Sequence, residues 1–126
     1  MVPRMTAPRV LLGNLEPVVR LGMSAVLAEE GIEVIAEETR PQALVLLAGR
    51  LRPDAVVLDL DRLESRELGD RLRSAAPDTT VVFWTRDEHM MVVIGPGGEE
   101  PKRIADPAPD ELRSQLVRSQ VERLER

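Results

Sequence analysis

A single doubly wound α/β domain is the fold the sequence predicts, and two observations carry that prediction. The first is residues 54–61, Asp-Ala-Val-Val-Leu-Asp-Leu-Asp, an apolar run that ends abruptly in acidic residues. Consecutive β-favouring or small apolar residues suit a strand buried on both faces, as parallel strands packed between helices are. The second is regular spacing. Strand starts fall near Arg9, Ile32, Ala55 and Thr80, separated by 23, 23 and 25 residues, with one helical pattern in each gap. Such alternation implies right-handed βαβ units and hence a parallel sheet covered on both faces. In sheets of this kind ligands gather in the crevice outside the carboxyl ends of the strands, so Asp59 is the best-placed side chain for a site. The alternative, that Asp59 only caps a strand, is equally compatible with its position.

In chain order, residues 1–8 hold two prolines and no periodicity and read as a loose leader. Residues 9–13 are a short buried strand ending in glycine. Pro17 suits a first helical turn, where its missing N–H has no partner to lose. Val19, Met23, Val26 and Leu27 then follow at helical spacing until Gly31 stops the helix. Residues 32–36 form the second strand. Thr39 and Gln42 stand at capping-box spacing ahead of a helix over residues 43–51, which Pro53 ends. The third strand covers residues 55–60. A third helix lies within residues 63–76, with Leu68, Leu72 and Ala75 on one face, and residues 81–85 are the fourth strand.

Regularity fails between residues 86 and 106. Residues 90–94, Met-Met-Val-Val-Ile, precede a Gly-Pro-Gly-Gly run where a fourth helix is due. That composition disfavours helix. The segment is either a helix reduced to a turn or two, or a strand with residues 102–105 as its neighbour, and the β-branched residues favour the strand. The chain closes on a polar helix over residues 109–126, striped by Leu112, Leu116, Val117, Val121 and Leu124. Residues 9–120 make the domain, and residues 121–126 extend beyond it.

Composition excludes several function classes. A length of 126 residues fits one domain, which buries roughly two-thirds of its unfolded surface without staples. Cysteine is absent, so disulfides and thiolate metal sites are unavailable. No apolar run approaches the roughly 20 residues that span a bilayer, and the start lacks a signal-peptide core, so the expected location is the cytoplasm with no membrane contact. A net charge of −5 opposes direct nucleic-acid binding, which needs clustered basic residues.

The segments together resemble a response-regulator receiver domain, particularly the kind found in the NarL and FixJ group. The match runs over about residues 9–120, with residues 86–102 its weak part. Its most specific pieces are Arg9-Val10-Leu11-Leu12 with Pro17-Val18-Val19-Arg20-Leu21-Gly22-Met23, then residues 51–60 around Pro53 and Asp59, then Ala76-Pro77-Asp78-Thr79 with residues 81–85. The resemblance implies a flavodoxin-like sheet of five parallel strands in the order 2-1-3-4-5, and a phosphoryl group accepted by Asp59 from a histidine kinase. It also implies that Thr85 is the hydroxyl residue that follows the phosphoryl group.

Measured against that family, several parts are missing. Two acidic residues should follow the first strand to hold magnesium, and those positions are Asn14 and Leu15, with Glu16 one place too late. The lysine after the fifth strand aligns with Ala105, leaving Lys102 as the only lysine available to replace it. The aromatic switch residue before that lysine is absent, and Asp61-Arg62-Leu63 replaces the loop after the acceptor. Magnesium needs near-octahedral oxygen ligands, and phosphoryl transfer is catalysed largely by neutralising the charge on the equatorial oxygens. The implied domain is thus degenerate, with no metal, no cofactor and no catalytic residue.

Arg62 and Arg86 are candidate charge partners of Asp59, although solvation is the default for surface arginine. His89, the single histidine, has no Ser or Cys pattern near it. Residues 95–98 lack the lysine and helix of a phosphate loop and read as a turn. Phe83 and Trp84 read as core. Val121 and Leu124, flanked by charges beyond the domain edge, suggest a helical seam and a homodimer.

Two function classes remain, and neither is enzymatic. One is a signalling pseudo-receiver acting through protein contacts, with Mg-dependent Asp59 phosphorylation impaired or absent, alone or as the front of a transcriptional regulator. The other is a sensor that binds a metabolite in the emptied crevice near Asn14, Asp59 and Thr85.

Overall fold

The apolar runs and their spacing resolve into ten elements in the computed structural model, which describes residues 7–85, 90–97, 100–108 and 110–124, with side chains of the last helix described as far as Arg118. They are β1 (Arg9–Leu12), α1 (Pro17–Glu29), β2 (Glu33–Glu37), α2 (Pro41–Leu51), β3 (Ala55–Asp59), α3 (Ser65–Ala75), β4 (Thr80–Thr85), β5 (Met90–Ile94), β6 (Lys102–Ala105) and α4 (Glu111–Leu124). Strand order across the sheet is β2-β1-β3-β4-β5-β6. The pairs β1 with β2, β1 with β3, and β3 with β4 are parallel, as the regular spacing predicts.

Six strands stand where the family resemblance implies five, and the last two depart from the parallel pattern. β5 pairs antiparallel with β4, setting Phe83 opposite Val92 and Thr85 opposite Met90, and β6 pairs antiparallel with β5. The β-branched run therefore forms a strand in place of a fourth helix. β4 would otherwise be left with unpaired backbone groups on one side, and Val92 and Val93 bury well on a pleated surface. Gly97, at φ +80°, turns the chain toward β6.

Alternation along the strands splits the core into two layers. Val10, Leu12, Val57, Val82, Met91 and Val93 face α1 and α4, and pack with Leu27, Leu112 and Leu116. Leu11, Val56, Leu58, Val81, Phe83 and Val92 face α2 and α3, and pack with Leu44, Leu68 and Leu72. Each fully buried Leu contributes about 1.5–3 kcal/mol relative to exposure. Phe83 is core as expected, while Trp84 points to the other layer and stays partly exposed. Among the described residues no helix is long and apolar enough to cross a membrane.

The capping box of Thr39 and Gln42 does not form. The N-cap of α2 is Arg40, with Pro41 in the first turn, so the helix opens two residues early. The preset φ of proline favours that start over the one offered by the Thr39 hydroxyl. The Glu38 carboxylate instead accepts from the Arg40 backbone N–H at 3.0 Å and from its guanidinium at 2.9 Å. These bonds, the side-chain one foremost, hold Glu38 down to about 2. The pair is at the surface, and its small support is present above the ordinary carboxylate pKa and lost as pH falls toward 2. A carbon-detected NMR titration should find the Glu38 midpoint well below the usual carboxylate range.

Two glycines make opposite predictions. At Gly13 an added Cβ would lie 2.7 Å from a Leu58 methyl, 2.9 Å from a Leu44 methyl and 3.0 Å from the Val57 carbonyl oxygen. Gly13→Ala is expected to cost about 1–3 kcal/mol in urea unfolding, since side chains and backbone must both give. Gly22 sits inside α1 with nothing within 4 Å of such a Cβ. Gly22→Ala should stabilise the protein by about 0.5–1 kcal/mol through backbone entropy alone.

Candidate functional site

The parallel strands β1, β3 and β4 end at one edge of the sheet, and the segments leaving them carry Asn14, Asp59 and Thr85. The strand spacing predicts that parallel strands finish at a common edge, with Asp59 at the end of the central one, and they do. Asn14 is buried, 3% exposed, and its amide is used at both ends. Its Oδ1 accepts the Asp59 backbone N–H at 3.0 Å, and its Nδ2 donates to the Ser65 Oγ at 3.0 Å. The Ser65 hydroxyl in turn donates to the Asp59 carbonyl. This ring ties the end of β1 to the end of β3 and the start of α3. Sequence reasoning missed Ser65. Its one signal is a hydroxyl residue opening an amphipathic helix, which ordinarily indicates only a cap.

Leu15 turns away from the crevice. It is 2% exposed and packs in the layer with Val10, Leu12 and Leu27, because Leu15 N–H closes onto the Gly13 carbonyl in a tight turn. Glu16 is exposed at the N-cap of α1. Neither of the two expected acidic-pair positions thus offers a carboxylate: one is an amide already committed and the other a core side chain. Among the described residues no group of three or more His, Asp or Glu side chains is placed to hold a metal ion. The two positions after β1 therefore supply magnesium with no charged oxygen ligand, and the carboxylates at this edge are those of Asp59 and Asp61.

Asp59 is partly buried at the strand end. Its Oδ1 accepts the Asp61 backbone N–H at 2.9 Å, and its Oδ2 lies 3.7 Å from the Arg62 Nε, a loose pair on a half-exposed guanidinium. Of the two candidate charge partners, Arg62 is thus brought near Asp59. Arg86 and His89 lie outside the described residues. Thr85 is fully buried, and its hydroxyl donates to the Asp61 carboxylate, with oxygens at 3.1 and 3.2 Å. Asp61 is the second residue that sequence reasoning did not assign a role. It spans the crevice from the β3 loop to β4, holding the hydroxyl that sequence reasoning assigns to a phosphoryl group.

Lys102 opens β6 opposite Val93, whereas Ala105 lies opposite Met90, which itself faces Thr85. The row at the site edge is therefore Thr85, Met90, Ala105. Lys102 is three residues away toward the other edge, roughly 10 Å at strand rise, and so stands apart from that row. Val121 lies on α4, as does Leu124, and their side chains are outside those described.

No family model matches the chain. A protein-glutamate methylesterase/protein-glutamine glutaminase from Anaeromyxobacter dehalogenans is 38% identical over 80 residues, 60% of this chain. The chain spans 22% of that relative's length. Among solved structures, the receiver (REC) domain of AraT, a response regulator from Geobacillus stearothermophilus, matches 96% of this chain and 100% of its own. It does so at a TM-score of 0.61 and 19% identity. A LuxR-family two-component response regulator from an Aurantimonas species matches at a TM-score of 0.57 and 24% identity, over 64% of this chain and 59% of its own. The anti-anti-sigma factor PhyR from Bartonella quintana, complexed with the anti-sigma factor NepR, matches at 0.55 and 14%, over 91% of this chain and 48% of its own. At these identities the shared property is the fold, and it is the fold of response-regulator receiver domains.

Proposed function

We propose, from a receiver fold in which an amide and a core leucine follow β1 where the resemblance implies a carboxylate pair, that this chain is a signalling domain that works through protein contacts and not through ordinary magnesium-dependent phosphorylation of Asp59. The observation that supports this most is the Thr85–Asp61 hydrogen bond. A carboxylate oxygen accepts the hydroxyl hydrogen, as a phosphoryl oxygen would, so Thr85 is engaged without phosphorylation. The Asn14 amide likewise joins β1 to β3 with hydrogen bonds where a metal ion would join them with charge. Both features favour one fixed state. Adding magnesium with beryllofluoride, a phosphoryl mimic, is expected to leave the amide resonances of Asp59, Asp61 and Thr85 unmoved. Saturable shifts at those three would overturn the reading.

Partners in this proposal are other signalling proteins. PhyR is found complexed with an anti-sigma factor, and contact of that general kind is the mode we infer here. A histidine kinase as phosphoryl donor is the partner that a functional acceptor would require. The front half of a transcriptional regulator is one setting for such a domain. Metabolite binding at Asn14, Asp59 and Thr85 is disfavoured because the polar groups of the crevice are already paired with one another. We also propose a homodimer through the last helix, on the Val121 and Leu124 stripe. Sedimentation should give a dimer that Val121→Glu with Leu124→Glu converts to monomer, and a monomeric wild type would refute this.

A further inference from the structure

Strand insertion has a consequence on the other face of the sheet. α4 leaves the sheet from β6, and the intervening β5 puts β6 two strand positions from β4, one spacing of about 4.8 Å farther than direct pairing would. On the opposite face α2 and α3 lie in contact side by side. On this face α1 and α4 leave an apolar crevice of about 400 Å³ between them. Its floor is Val57, Val82, Trp84 and Met91, from three adjacent strands. One wall is the inner face of α1 around Met23, and the other is residues 107–108 with Leu112.

We propose that this crevice is a binding site for a neutral, compact aromatic molecule. Ligand sites are mostly apolar concavities of about 300–1,000 Å³, and this one is within that range. Among the described residues none that lines it is charged, and the Trp84 indole is the only lining side chain with a nitrogen–hydrogen donor, so an ionic ligand would lose hydration without compensation from them. An apolar crevice offers water few hydrogen-bond partners, so an apolar ligand displaces water from it at little cost. The Trp84 ring and the thioethers of Met23 and Met91 favour an aromatic guest over an aliphatic one. Gly22 and Ala108 line the crevice and are exposed, so small residues from both walls form its mouth. The exposed apolar residues Val18 and Leu21 are on the outer side of α1 and do not line the crevice. A second copy that covered them would leave the crevice unfilled.

The test uses the intact chain and N-phenyl-1-naphthylamine, a neutral aromatic dye. Trp84 is the only tryptophan, so its emission reports on this crevice alone. The expected result is saturable one-to-one binding that quenches Trp84 emission, transfers energy to the dye and raises Tm. Gly22→Leu has open space for its Cβ, and Ala108→Leu adds bulk from the other wall. Each should weaken dye binding about tenfold or more without lowering the Tm of the dye-free protein. If one variant folds poorly, the other carries the test. Leu46→Ser, exposed on α2, should leave binding unchanged. The proposal is overturned by non-saturable binding, by binding that neither wall variant weakens, or by dye binding that disappears as the protein self-associates, which would make a second copy the occupant.

Discussion

Incubation with a small phosphodonor and magnesium is expected to leave the intact mass of the protein unchanged, and an Asp59→Asn control should behave identically. Metal binding at such a site supplies several kcal/mol of transition-state stabilisation, and each ~1.4 kcal/mol is tenfold in rate. The residues that would anchor the ion are committed elsewhere. The Asn14 Oδ1 already accepts the Asp59 N–H, and Leu15 is in the core. The Thr85 hydroxyl is held by Asp61, and Lys102 lies toward the far edge of the sheet. On the proposed reading, transfer to Asp59 is expected to slow by several orders of magnitude, on the order of what loss of a metal ion implies. A stoichiometric gain of one phosphoryl group that requires both magnesium and Asp59 would refute this. Introducing Asn14→Asp with Leu15→Asp should restore magnesium affinity only in part. Residue 15 faces the core, so its carboxylate would have to be dragged out of the layer around Val10 and Leu27, or stay buried and protonated.

Asn14→Leu is expected to destabilise the protein by about 2–4 kcal/mol, among the largest single effects outside the core proper. The leucine deletes an acceptor and a donor at once, leaving the Asp59 N–H and the Ser65 hydroxyl with one partner fewer each, in a place water barely reaches. A buried group left unsatisfied costs about 1–3 kcal/mol. Ser65→Ala also removes two bonds of the ring, the one accepted from Asn14 and the one donated to the Asp59 carbonyl, and should cost a similar amount, about 1–3 kcal/mol. The pair should be non-additive in a double-mutant cycle, by about 0.5–3 kcal/mol, because both act on one network. Urea unfolding measures this as a lowered midpoint at constant slope. A loss below about 0.5 kcal/mol for Asn14→Leu would show that the ring contributes little, and that Asn14 merely fills the space.

Much of the domain was legible in the chain because its signals are local. The apolar run at residues 55–58 and three strand and helix spacings define a parallel sheet, and the end of β3 puts Asp59 at the edge where β1 and β4 also finish. The strand character of residues 90–94 is local too, since β-branched residues and a following glycine-rich turn disfavour helix whatever surrounds them. The absence of a carboxylate pair after β1 is a plain fact of residue identity.

Tertiary structure decided the rest, because it depends on groups distant in sequence. That β5 runs antiparallel between β4 and β6 follows from its pairing register, from Thr85 with Met90 out to Val81 with Ile94 and from Val93 with Lys102 out to Met90 with Ala105, which periodicity does not encode. The Thr39 capping signal lost to Pro41 because two valid helix starts compete and only one suits the approach of the chain from β2. Asp61 was unremarkable until folding brought Thr85 across 24 positions to its carboxylate. Ser65 gained its role from an amide 51 residues away. Residue types put an amide and a leucine after β1, and packing alone determined which side chains meet in the crevice, since a hydrogen bond needs two groups within about 3 Å and the sequence places only one of them at a time.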